Sequence, residues 1–208
     1  MRAARRSGKD VSRSVDPVVR AWRTNARVTA YLAEAIPATI WGATIPGMPR
    51  KTVRAVLAHL HNSRRAWLRV LGAPHGITVP AAVDRRRVGR AMLLSALRRS
   101  GAAMESLLEV GVEAGGSIPP TRAYVWRNLP LDIAHVLMYF ASHEAHHRGQ
   151  LLLIARQLGH PIEASVRNGV WHFEQRSREA EPREREQALR RVAEVPARST
   201  ARRAATKR

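Results

Sequence analysis

Four stretches of this chain repeat apolar residues at intervals of three and four, and proline or glycine interrupts the chain between them. That period draws one apolar face along a helix, whereas a half-buried strand alternates every two residues. The first stretch opens at Asp16-Pro17, a capping side chain followed by proline at the first helical position. It carries Val18, Val19, Trp22, Val28, Tyr31, Leu32, Ala35 and Ile36 and ends at Pro37. The second starts near Thr52, carries Val53, Val56, Leu57, Leu60, Arg64, Trp67 and Leu68, and closes at Gly72. The third is expected from Asp84, through Val88, Leu93, Leu97, Met104 and Leu108, with Ser100-Gly101 as a point for a kink. The fourth opens at Pro130, runs to Leu158 and stops at Gly159 with Pro161 beyond. At 1.5 Å per residue it is roughly 45 Å long.

The gaps are long loops, one of them with a turn at Pro46-Gly47. A shorter, charged fifth helix is expected across 165–192, held to the body by Trp171 and Phe173. No segment carries a strand pattern. The expected fold is all-α, a four-helix bundle with an extra C-terminal helix. The chain then divides into a disordered basic tail over 1–15, the bundle over 16–175, and a charged C-terminal helix and basic tail over 176–208. At 208 residues the length suits one core.

The net charge is +20, part of it in the two tails. A basic surface favours nucleic acid or anionic lipid. No recognition signature accompanies it, so only weak, salt-sensitive, sequence-independent nucleic-acid binding is expected. The five tryptophans fall mostly where burial is expected. The longest uncharged run, 35–49, is broken by three prolines and cannot be a spanning helix. The first sixteen residues lack the apolar core of a secretory signal, and a cytoplasmic location is expected. There is no cysteine, so any metal ligand is His, Asp, Glu or another oxygen donor.

The chemistry concentrates in HEAHHRGQ, His143 to Gln150. His143 and His147 are four apart, on one helix face beside the apolar stripe, and their spacing lets two imidazoles converge on one ion. Gln150, three residues further, is placed to hydrogen-bond a ligand or a water. His146 and Arg148 are expected toward solvent. Glu144 falls off the His143–His147 face and is expected as a solvated surface glutamate. A third imidazole is offered by AHLHNSRRAW in the second stretch. His59 shares a small, polar face with Asn62, Ser63 and Ala66, and His61 groups with Leu57, Arg64, Arg65 and Leu68 nearer the boundary. His59 is preferred and His61 is its rival. His135 is expected as a packing or supporting residue and His160 as an exposed turn residue.

AHLHNSRRAWL and SHEAHHRGQLLLIARQLGHPI resemble the DinB/YfiT-like superfamily of metal-binding four-helix bundles, across roughly 16–175. That family is distinct from the DNA polymerase sharing the name. The resemblance implies one divalent ion, with zinc or nickel expected first, on His59, His143 and His147. It also implies transfer of low-molecular-weight thiols or hydrolysis, a small-molecule substrate such as a low-molecular-weight thiol, and a homodimer as in relatives.

Three neutral imidazoles would leave the charge of such an ion uncompensated and a position open for water, whose pKa would fall from ~16 toward ~7. Sequence does not choose among zinc, nickel, iron and copper. Two other readings compete. A bundle could hold metal or a ligand without catalysis. And His143-Glu144-Ala145-His146-His147 satisfies H-E-x-x-H, the metallopeptidase pattern, although no strand is available to hold a peptide.

Overall fold

The computed structural model describes residues 15–45 and 47–179. Four long helices account for most of it: α1 (Pro17–Ala35), α2 (Val53–Trp67), α3 (Arg90–Glu113) and α4 (Ile133–Gln157). Two short ones follow, α5 (Ala164–Gly169) and α6 (Phe173–Ser177). No strand occurs among the described residues; isolated bridges join Ile45 to Met48 and Ser117 to Asp132. The expected all-α four-helix bundle is therefore the fold. Residues 1–14 of the expected 1–15 tail, the part of the expected 165–192 helix beyond residue 179, the basic C-terminal tail and Pro46 of the turn lie outside the described residues. The chain divides into two compact units, 1–177 and 178–208, and the bundle is the first.

Side-chain caps set three of the four starts. Asp16 accepts from the Val18 N–H, Thr52 from Ala55 and Asp132 from His135, each satisfying an amide that the helix leaves unpaired. Two boundaries differ from expectation. Asp84 caps only a single turn, accepting from the amides of Arg86 and Arg87, and α3 begins at Arg90 behind Gly89. The fourth helix begins at Ile133 because Asp132, not Pro130, is its cap. α3 is continuous through Ser100-Gly101, where the Gly101 carbonyl accepts from the Trp22 indole at 2.9 Å.

Side-chain contacts fix the helix directions. Trp22 meets Phe140, while Asn25 and Thr29 meet Glu144 and Arg148, so α1 and α4 run parallel. Arg23 pairs with Glu105 and Glu34 with Arg98, so α1 and α3 are antiparallel. His61 meets Ala96 and Arg64 meets Leu97, so α2 and α3 are parallel. His59 approaches His143, whereas Trp67 approaches Tyr139, so α2 and α4 are antiparallel. The order is up-down-down-up. This explains the long loop between α2 and α3, because parallel neighbours require the chain to travel back a full helix length. The loop retraces α2 from its end to its start, with Ala81 against His61, Val83 against Asn62 and Arg86 against Arg54.

The core has two apolar halves. One gathers Leu32, Leu57, Leu60, Leu93, Leu97, Leu151 and Ile154; the other gathers Trp22, Leu68, Met104, Leu107, Leu108, Val136 and Phe140. Along every helix a polar residue separates the halves: Asn25 and Thr29, His61 and Arg64, Ser100, then Glu144 and His147, all buried. A polar layer thus crosses the middle of the bundle.

The C-terminal segment departs from expectation. Trp171 is 78% exposed and Phe173 is also exposed. The contact with α1 is made instead by Val170, which is buried, and by Arg176, whose guanidinium lies 4.1 Å from the centroid of the Tyr31 ring. No described helix is long and apolar enough to cross a membrane.

Candidate metal centre

α2 and α4 bring three imidazoles together at one end of the polar layer. One nitrogen from each of His59, His143 and His147 lies within 4.8 Å of the other two. The Nε2 atoms of His59 and His143 are 3.3 Å apart, and those of His143 and His147 are 3.1 Å apart. His143 and His147 meet because they are one turn apart on α4; His59 reaches them because α2 runs antiparallel alongside. The cluster is partly open, with His59 and His143 half-buried and His147 buried.

All three rings are held neutral. Burial, followed by the positive charge that His147 and His143 would carry, pushes His59 down to about 4. Burial also lowers His143 and His147. The Nδ1–H of His147 donates to Gln150 Oε1 at 3.0 Å, which leaves the Nε2 lone pair facing the cluster. Gln150 in turn donates its amide to Nε2 of exposed His146 at 2.8 Å. Neutral nitrogen donors converging on one point, one ring oriented by a further hydrogen bond, form a donor set of the kind a borderline divalent ion takes.

His61 lies elsewhere. Its Nδ1 is 3.0 Å from the Ala96 carbonyl and its Nε2 2.9 Å from that of Ala81, deep under the returning loop. Both nitrogens are engaged away from the cluster, and the residue is fully buried, not near the boundary as expected. His135 is exposed and bonded to Asp132, and His160 is exposed.

Glu144 overturns its expectation most clearly. It is fully buried on the opposite flank of α4 from solvent. Its Oε1 accepts from Arg64 Nε at 2.7 Å and lies 2.6 Å from Arg64 Nη2. Its Oε2 accepts from Thr29 Oγ1 at 2.7 Å and Asn25 Nδ2 at 3.0 Å. Arg148 also turns inward, donating to Asn25 Oδ1 and Thr29 Oγ1 at 2.9 Å each. Arg64 completes the layer by donating to the Leu97 carbonyl at 2.8 Å and stacking over Trp22 at 5.2 Å. Four helices are tied through one carboxylate. A glutamate so bound cannot serve as the water-activating base of an H-E-x-x-H enzyme, since its lone pairs are committed to buried donors. The sequence signal was available: buried Ile133, Val136, Phe140, His147, Leu151 and Ile154 step by three and four, and position 144 fills the gap in that stripe.

A family model described as the DinB family matches residues 12–176. No curated protein matches the chain.

Proposed function

The chain belongs to the DinB family, and on that premise we propose that His59, His143 and His147 hold one divalent ion, zinc or nickel, at which a small thiol or water reacts. The carrying observation is the approach of three ring nitrogens to within 4.8 Å of one another. Such an ion, when bound, supplies positive charge that favours the ionised form of a thiol or water beside it. The chain supplies the rest. His147 is oriented by Gln150, and the Arg64–Glu144 pair fixes α2 against α4 so that His59 stays in register with the α4 pair. The chain has no cysteine, so any reacting thiol belongs to a substrate. The buried, fully bonded Glu144 argues against the metallopeptidase reading.

The reading is tested with zinc- or nickel-loaded protein, a small thiol and an alkyl halide. The thiol loses its proton, the sulfur forms a bond to carbon, and the halide leaves. Thiol consumption above background is expected, falling to background with a chelator or in His147→Ala. Consumption indifferent to both contradicts the proposal. Tight ion binding without thiol transfer or ester hydrolysis would favour a non-catalytic binding module instead.

A further inference from the structure

Beside the imidazoles stands a group of aromatic side chains that begins on the core, at Phe140 and Tyr124, and runs out to exposed Trp126. Tyr139, one turn before His143 on α4, lies parallel to the His143 ring, 3° between planes and 6.3 Å between centroids. Trp67, two turns beyond His59 on α2, meets Tyr139 edge-on at 5.5 Å and Trp126 at 6.3 Å. Tyr139 is 38% exposed and Trp126 61% exposed. A large indole left in water gives up most of the stabilisation its burial would bring.

The loop that carries Trp126 is firmly built. Tyr124 is buried, and its hydroxyl donates to the Leu129 carbonyl at 2.8 Å and accepts from the Leu129 amide at 2.7 Å, closing the loop on itself. Thr121 ties its start to the Val70 carbonyl at 2.7 Å. Within the closed loop Arg127 has φ +48°, the left-handed region that a residue with a Cβ seldom adopts. An uncommon backbone conformation next to an exposed tryptophan, inside an anchored loop, is the kind of outlier that motivates a functional reading.

We propose that Trp67, Trp126 and Tyr139 form an apolar subsite that receives a flat, aryl-type group of the substrate whose reacting atom sits at His59, His143 and His147. Trp67 links the other two rings edge-on, and Trp126, on its anchored loop, offers the most exposed face. The inference rests on the metal reading above and deepens it by naming the substrate's apolar part. At the other end of α2 the surface is basic. Lys51 precedes the helix, and Arg85 follows the segment that Asn62 pins at Val83; both positive charges act on His59. A carboxylate on the ligand therefore meets a complementary charge.

The probes are 2-mercapto-3-phenylpropionate and 2-mercaptopropionate, which differ by one phenyl group. Each is titrated calorimetrically into the full chain, zinc-loaded and metal-free, as wild type and as Trp126→Ala. The exposed position of Trp126 leaves the melting temperature of the variant unchanged. The phenyl probe is expected to bind roughly ten-fold more tightly than its small counterpart. In Trp126→Ala that ratio shrinks to roughly three-fold or less. Equal affinities in wild type, a ratio untouched by the substitution, or no binding of the phenyl probe to either form overturns the subsite. Failure of the metal reading shows separately: neither thiol would then prefer the zinc-loaded protein over the metal-free one, while the phenyl ratio is still read on both.

Discussion

Two polar clusters share one turn of α4 and are built on opposite rules. Glu144 and Arg148 face inward, where Arg64, Asn25 and Thr29 match them donor to acceptor and charge to charge. His143 and His147 face the α2 side, where they meet another imidazole, His59, and nitrogen approaches nitrogen at 3.1 and 3.3 Å. The first cluster is complete within the chain. The second gathers like groups, nitrogen donors that can turn to one another or to a shared cation. The first is closed within the fold and the second is the proposed metal site, though their members are neighbours in sequence.

The largest expected difference is in stability. Glu144→Ala leaves Arg64 buried with its opposite charge gone, and chemical denaturation should show a loss of about 3–5 kcal/mol. Replacing both Glu144 and Arg64 by leucine should cost less than that single change, because the Arg64 charge is then no longer stranded in the core. If Glu144→Ala costs no more than a surface substitution, the inward cluster is not what holds the four helices.

Gln150→Leu sharpens the contrast from the other side. It removes the partner that orients His147 without disturbing the core. Calorimetric zinc affinity should fall about 10–100-fold, the usual cost of losing such a support. The denaturation midpoint of metal-free protein should stay where it is. Equal metal affinity with and without Gln150 would mean that His147 needs no orienting.

A smaller effect separates the clusters by pH. His59 is ordinarily at 6.5 and sits at about 4 in the folded chain, lowered by burial and by His147 and His143. The unfolded chain therefore takes up this proton first as pH falls. Metal-free protein should lose stability progressively from about pH 6.5 down through pH 4, and His59→Asn should lose less over the same range. Parallel thermal-melt profiles for the two proteins would contradict the assigned shift.

Much of this was legible in the chain because it depends on period. The four helices, the cap at Asp16 and the pairing of His143 with His147 follow from residues three and four apart, while the third imidazole, His59, comes from the resemblance and a small polar face on the second helix. What was not legible depends on neighbours. Asp84 carries a genuine capping signal, but a cap does not specify whether one turn or six will follow. His61 was placed near the surface because α2 alone shows two imidazoles on adjoining faces; only the returning loop, which covers it with the Ala81 carbonyl, decides. Glu144 falls off the His143–His147 face, but off that face is not toward solvent: the buried stripe from Ile133 to Ile154 runs through position 144. Its partners come from two other helices, α1 and α2, and no local pattern announces them. Trp171 and Phe173 read as a clamp in sequence, yet the buried residues there are Val170, just after α5, and Arg176 of α6.

The most direct measurement is the metal content of the purified full chain, set against His59→Ala, His143→Ala and His147→Ala with His61→Ala as the control. One divalent ion per chain in the native protein, lost from the first three variants and kept in the fourth, is the predicted result. Native protein that takes up no stoichiometric ion, or an ion that survives His59→Ala and vanishes in His61→Ala, would contradict the assignment of the outward cluster.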